Sequence, residues 1–180
     1  MQHQKPIKPI LVVGASVGGS TAADTLARAG IPVILLERDL NWVKPCGGAL
    51  PPVAFEEFDI PESLISRKVH KAQFHSPTER IADIDVSGTQ ERTNDYVAMC
   101  RREDLDPWLR QRAVDNGAEL IEGKLVSLDV QADGVVVQYT HKGSSERHTL
   151  DASAVIGADG AYSTTARLLG LDRIQIGRAS

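Results

Sequence analysis

Apolar residues gather into short unbroken runs near both ends of the chain and alternate with polar residues in between. Ile10 to Val13 is a run rich in β-branched residues that stops at Gly14, the pattern of a strand buried on both faces of a parallel sheet. Ser20 to Ala29 then carries Ala22, Ala23, Leu26 and Ala27 on one helical face. Gly30 is a natural stop, and Pro32 bars continuation. Val33 to Leu36 repeats the buried-strand pattern and ends in Glu37, which completes a strand, helix, strand unit of about thirty residues.

Asn41 to Pro61 loses this regularity, because Pro45, Gly47, Gly48, Pro51 and Pro52 crowd a loop of a length usually kept for function. Val69 to His75, Ile81 to Val86 and Tyr96 to Cys100 alternate or are β-rich, and predict strands of a second, inserted sheet. Glu103 to Asn116 has Leu105, Trp108, Leu109 and Ala113 at helical spacing, closed by Gly117. Strands are predicted at Glu119 to Ile121, Leu125 to Gln131, Val135 to His141 and His148 to Leu150. Turn residues at Asp133-Gly134 and Lys142 to Ser145 make the last of these an antiparallel meander. Ala154 to Ile156 returns to the apolar parallel-strand pattern, and Ser163 is placed to cap a short helix carrying Arg167, Leu168 and Leu169 before Gly170.

Composition narrows the function classes. With 180 residues and 42% hydrophobic content the chain can bury a core, and no repeat or low-complexity tract suggests a solenoid or linker. A formal charge of -4 with scattered basic residues argues against nucleic acid as a partner. Cys46 and Cys100 lie far apart without a CxxC pair, and His70, His75, His141 and His148 lack metal-ligand spacing, so neither a disulfide framework nor a metal site is expected. The polar start carries no secretory core and no Arg-rich transit sequence. No run approaches the roughly 18 apolar residues of a membrane span, so a reducing, cytoplasmic setting is expected.

The stretch VVGASVGGS, Val12 to Ser20, carries the first chemistry. In a dinucleotide-binding turn one glycine permits the tight turn, a second lets the backbone approach the pyrophosphate, and a third lets helix and strand pack closely. Gly14 and Gly19 occupy the first and third positions. Ser16 holds the second, adding a Cβ where close approach is wanted, while Gly18 keeps backbone freedom beside it. Glu37 lies eighteen residues beyond Gly19, where an acid accepts hydrogen bonds from adenosine ribose hydroxyls. The glycine turn alone also fits an ordinary strand-to-helix connection; with the acid it favours the adenosine half of FAD or NAD.

Three segments, VVGASVGGS, MCRREDLDPWL (Met99 to Leu109) and VIGADGAYS (Val155 to Ser163), fall in the order of the FAD-dependent oxidoreductases that include aromatic hydroxylases and geranylgeranyl reductases. The resemblance implies that Arg102, with Arg101 beside it, reaches the flavin phosphates or their vicinity. It also implies that Asp159 and Gly160 form a turn behind the flavin that organises the flavin and NADPH sites. Tyr162 stands where that class commonly carries asparagine. A pairing of the arginine with Glu103 or Asp104, and a plain Asp-Gly turn, remain the structural alternatives.

Within that class, ERDLNW followed by KPCGGALPP (Lys44 to Pro52), then FDIP, RKV, SPTER and YVAMCRRE, is similar to the early part of chlorophyll-pathway geranylgeranyl reductases. The resemblance implies an α/β fold: a Rossmann-like FAD-binding domain with an inserted antiparallel β-sheet substrate domain and a β-meander. Residues 1–44 open the cofactor domain, 45–100 hold the glycine and proline loop with the inserted strands, and 101–180 return to the cofactor domain. It implies an FAD-dependent reductase that uses NADPH to saturate double bonds of a geranylgeranyl chain, free as the diphosphate or esterified to chlorophyll or its precursors. Gly14, Ser16, Gly18, Gly19, Glu37, Arg38, Arg102, Asp159 and Gly160 would bind cofactor, and Pro45, Cys46, Gly47 and Gly48 would form a loop near substrate or flavin. Cys46 is the candidate proton donor; a small packed residue in a turn is the alternative. Family enzymes are much longer, so the chain is expected to be a truncated N-terminal portion, with a second polypeptide as one source of the rest. Peripheral association with a photosynthetic membrane is implied by the family alone. The competing readings are an FAD-dependent aromatic hydroxylase and a non-catalytic nucleotide-binding remnant.

Overall fold

Leu11 and Val13 of the first strand, β1 (Ile10–Val13), turn to one face of a sheet, and Val12 turns to the other. This period-two alternation splits the core around the strand into two layers. The structure is a computed structural model that describes residues 7–46, 48–86 and 96–171. It contains two compact units, Met1–Trp42 with Asp106–Ser180, and Val43–Leu105.

In the first unit β1 leads into helix α1 (Val17–Arg28) and then to β2 (Val33–Glu37), which pairs with β1 in parallel, Val12 opposite Leu35. The helix starts three residues earlier than its apolar pattern predicts. Gly18 and Gly19 read as turn residues, yet both lie in its first turn. Its end agrees with expectation: Gly30 takes φ +72 and the Ile31 N–H donates to the Leu26 carbonyl at 3.0 Å.

The second unit holds β3 (Ala49–Leu50), helix α2 (Val53–Glu57), a 3-10 turn at Glu62–Leu64, then β4 (Ile65–Val69), β5 (Lys71–His75), β6 (Ile81–Asp85) and β7 (Val97–Cys100). The stretch predicted to be irregular therefore contains a short strand and a helix. The predicted Val69 to His75 strand is two strands broken at His70, whose carbonyl accepts from the Val86 N–H at 2.8 Å. The predicted single inserted sheet is two: an antiparallel sheet in the order β3-β7-β4, and a separate β5–β6 hairpin. Loop and sheet meet where Gly48, at φ +67, accepts at its carbonyl from the Cys100 N–H at 2.9 Å. A Cβ on Gly48 would run into the Cys100 carbonyl oxygen.

Helix α3 (Arg102–Asp115) begins in the second unit and ends in the first. There it is followed by β8 (Glu119–Gln131), β9 (Gly134–His141), β10 (Arg147–Ala152), β11 (Ala154–Gly157) and α4 (Thr164–Leu168). Two predicted strands merge into β8, because Gly123 and Lys124 keep the ladder going by pairing with His141 and Thr140. Its first residues pair in parallel with β2 and the remainder antiparallel with β9, so the meander and the parallel strands form one sheet, β10-β9-β8-β2-β1-β11.

On one face Leu11, Val13, Ile34 and Leu36 pack with Leu125, Val137 and Ala152 of the meander, which requires the sheet to coil over itself. On the other, Val12, Val33 and Leu35 meet Ala15 and Ala23 of the α1 segment and Ala113 and Ala118 from the α3 end. Each fully buried aliphatic side chain here contributes about 1.5–3 kcal/mol. Small residues on α1 let the helix lie close. Gly19 is the limit: a Cβ there would overlap the Gly14 carbonyl oxygen and come within 3.2 Å of the Ala158 Cβ, whereas at exposed Gly18 it would meet nothing. Gly19→Ala is expected to destabilise the fold by about 3 kcal/mol or more, and Gly18→Ala to be neutral or stabilising by roughly 0.5–1 kcal/mol. Urea denaturation of both variants checks this, and equal midpoints would contradict the packing assigned to Gly19.

Candidate functional site

β1 lies between β2 and β11, both parallel to it, so the chain leaves its carboxyl end with neighbours reached in opposite directions. Open α/β sheets bind ligands at such a switch point. Two turns sit there side by side. Val13 is in register with Gly157, and the Ala158 N–H donates to the Val13 carbonyl at 2.8 Å. The Gly14 N–H donates to the Leu36 carbonyl at 2.8 Å. Gly14 takes φ +98, and a Cβ on it would lie 2.5 Å from the Ala158 oxygen and 2.9 Å from the Asp159 Cα. The first turn is therefore glycine both for its backbone angle and for contact with the second turn.

Ser16 is the residue before α1, with φ -85 and ψ -169, angles any residue can take. Its side chain makes no capping hydrogen bond to the helix, and the first turn carries no acidic residue. The positive end of the α1 dipole thus keeps its attraction for an anion. Glu37 ends β2 beside this turn: its Oε2 accepts from the Ala15 N–H at 2.8 Å and its Oε1 from the Asp39 N–H at 3.1 Å. The carboxylate is fixed in place while each oxygen retains a lone pair. Arg38 stacks over the half-exposed Trp42, 6.0 Å from its ring centre.

The second turn is organised by Asp159. Its Oδ2 accepts from the N–H groups of Thr164 at 2.7 Å and Thr165 at 3.0 Å, and from the Thr165 hydroxyl at 3.2 Å. Its Oδ1 takes the Ser163 hydroxyl at 2.6 Å. Ser163 in turn caps α4 by accepting from the Ala166 N–H at 2.9 Å. Burial pushes the Asp159 carboxyl upward, but the Ser163 hydroxyl and the surrounding N–H groups outweigh it and hold the pKa below the usual carboxylate range. Gly160 follows at φ +82. Asp159 is thus the anchor of α4, a use that the Asp-Gly pair by itself does not reveal.

In the second unit Cys46, Pro45, Lys44, Ser66, Cys100, Arg101 and Arg102 line a cleft of about 360 Å³. Arg102 is 8% exposed despite its charge. The Cys46 thiol is exposed, and the Gly48 N–H and the Arg102 guanidinium lower its pKa, with Lys44 adding to the effect. Cys100 is buried, and burial pushes its thiol up. Arg101 takes Glu103 as its partner at 3.4 Å on the surface. Gly47 lies outside the described residues.

A profile described as "FAD binding domain" matches residues 8–179. The chain belongs to that FAD-binding family. The resemblance to geranylgeranyl reductases is borne out. This FAD-binding chain is 43% identical over 152 residues to a geranylgeranyl diphosphate reductase of Rhodobacter capsulatus, covering 84% of this chain and 37% of that protein. It is 39% identical over 170 residues to a chloroplastic geranylgeranyl diphosphate reductase of Oryza sativa subsp. japonica, covering 89% and 36%. The chain therefore spans little more than a third of either relative's length. A geranylgeranyl bacteriochlorophyll reductase-like protein from Thermoplasma acidophilum has the same fold, with TM-score 0.77 at 27% identity, over 91% of this chain and 42% of that one.

Several polar residues that hold the first unit together escape sequence reasoning. Asp24, on the α1 face read as small and apolar, is 4% exposed and accepts from Asn116 at 2.7 Å and pairs with Arg112 at 3.0 Å. Lys142 bridges Asp39 at 2.6 Å and Glu122 at 3.1 Å, which steadies the segment after β2. Arg110 donates to carbonyls of the first turn and of Leu40. Glu122, which also accepts from the Leu40 N–H, lies 82 positions from it, and Asp24 lies 92 from Asn116. No local pattern points to such pairs.

Two outcomes test this geometry. Asp159→Ala is expected to cost about 1–2 kcal/mol at neutral pH through loss of the α4 cap. Because the folded pKa is depressed, the deficit is complete above the unfolded carboxylate value of ~3.9 and fades as pH falls through the folded value. Denaturation across pH 2–7 follows it, and a pH-independent deficit would be inconsistent with an ionised cap. In the second unit, Cys46 is expected to be alkylated by iodoacetamide ahead of Cys100, and Arg102→Gln to slow Cys46 at neutral pH by about threefold or more. Mass spectrometry of the time course reads both, and an unaltered Cys46 rate would remove Arg102 as the cause.

Proposed function

We propose that this chain is the cofactor-holding part of an FAD-dependent reductase that saturates double bonds of a geranylgeranyl group, with NADPH as the electron source. The observation that carries the reading is the glycine-only packing of the Gly14 turn against Ala158 and Asp159 at the switch point, with helix α1 beginning three residues on. A strand-to-helix turn of this kind suits a pyrophosphate held by backbone N–H groups and a helix N-terminus. The identities to enzymes named geranylgeranyl diphosphate reductase support the substrate class.

In this reading the first turn, with Gly14, Ser16, Gly18 and Gly19, receives the pyrophosphate, and Glu37 accepts the adenosine ribose hydroxyls on its remaining lone pairs. Arg38 and Trp42 flank the adenosine end. Asp159 and Gly160 hold the second turn against the first, so α4 and the cofactor share one support. FAD, when bound and reduced, supplies the hydride that a carbon–carbon double bond takes up. The cleft of the second unit presents Lys44, Arg101 and Arg102, a set that suits an anionic group. The Cys46 thiol, its pKa lowered, is the candidate to deliver the proton that must accompany the hydride. Among the described residues no helix is long and apolar enough to cross a membrane.

The test is to purify the polypeptide carrying this sequence, record its flavin absorbance and measure its affinity for FAD. NADPH oxidation is then followed with and without geranylgeranyl diphosphate. Bound FAD, and an isoprenoid product heavier by two hydrogens per reduced bond, are expected. Absence of FAD binding would end the reading, and NADPH oxidation indifferent to the isoprenoid would end the substrate assignment.

A further inference from the structure

Arg110 comes from α3, is only partly exposed, and among the described residues pairs with no carboxylate. Its guanidinium instead spans two main-chain carbonyls: Nη1 donates to Ala15 at 3.4 Å and Nη2 to Leu40 at 3.1 Å. These carbonyls belong to the same two segments that Glu37 ties by their N–H groups, Ala15 at 2.8 Å and Asp39 at 3.1 Å. The Ala15 carbonyl also accepts the buried Ser20 hydroxyl at 3.0 Å. Both ends of Ala15 are thus gripped, its N–H by Glu37 and its C=O by Ser20 and Arg110. Carboxylate and guanidinium are planar forks, and together they act as two struts across one gap.

We infer that Arg110 is a positioning residue for the adenosine half of the cofactor: it sets the gap between the Gly14 turn and the segment after β2, and so the orientation of Glu37. The inference rests on the cofactor reading above. Loss of the guanidinium frees the Leu40 segment from the turn, and Glu37 then presents its lone pairs to the ribose in a scatter of orientations. A lysine keeps the positive charge but lacks the planar fork that holds two carbonyls at a set spacing.

The test uses ADP, which carries the ribose and pyrophosphate without the flavin, titrated into the flavin-stripped full chain. Wild type, Arg110→Ala, Arg110→Lys, Glu37→Gln and the Arg110→Ala/Glu37→Gln double variant are compared, with urea midpoints recorded for each. Arg110→Ala is expected to raise the ADP dissociation constant about tenfold, and Arg110→Lys by less. The double variant should bind no worse than Glu37→Gln alone, because the arginine acts through the glutamate. Losses that multiply in the double variant overturn the inference, as does Arg110→Ala binding ADP like wild type. If Arg110→Ala does not fold, Arg110→Lys decides: a weakened ADP affinity at an unchanged urea midpoint supports the role, and an unchanged affinity overturns it. A wild-type chain that binds FAD while Arg110→Ala leaves ADP affinity intact sinks this inference alone; one that binds neither FAD nor ADP sinks the cofactor reading with it.

Discussion

The first unit depends on the absence of two side chains. Gly14 and Gly19 let the β1 turn, the start of α1 and the β11 turn approach to within main-chain contact, and a Cβ at either position would strike a carbonyl. Once that contact forms, β1 and β11 are parallel neighbours in register, Ile10 with Ala154 through Val13 with Gly157. The strands that carry the two turns are far apart in the chain, so this contact pays the loop-closure entropy of everything between them. In the proposed reading the same glycines also bring a pyrophosphate to the positive end of a helix, so packing and cofactor would make demands on the same residues.

Around that contact the polar groups form a frame. Glu37, Arg110 and Ser20 grip Ala15, and Lys142 ties Asp39 to Glu122. Asp159 gathers four donors and fixes α4. Most of these bonds join a side chain to the backbone. Such bonds hold irregular segments where no strand or helix ladder can satisfy the peptide groups. The two turns are therefore held in place without being regular, which in the proposed reading lowers the ordering cost of binding.

The second unit follows another logic. Its loop is pinned by Gly48 against Cys100, and Arg102 is drawn under cover beside an exposed thiol whose pKa it lowers. A perturbed cysteine next to a buried arginine in a cleft is a functional candidate on electrostatic grounds. The Gly48 N–H comes first in lowering that pKa and the Arg102 guanidinium second.

What the sequence by itself determined was local. Period-two alternation and apolar runs located β1, β2, β9 and β11. Gly30 and Gly117 marked helix ends, and the spacing from Gly14 to Glu37 singled out a turn and an acid that the structure places side by side. It misjudged the start of α1, because Gly18 and Gly19 look like turn residues until the strand they must pack against is in place. It split β8 at Gly123 and joined β4 to β5, since the partner strand, not local composition, decides where a ladder continues. Only the tertiary structure decided that Asp159 caps α4, that Asp24 is a buried ion-pair centre, and that Arg110 reaches Ala15 across 95 positions of chain. The physical reason is range: steric and hydrophobic periodicity act over a few residues and are written in them, whereas a hydrogen bond to a distant carbonyl leaves no pattern in the residues around it.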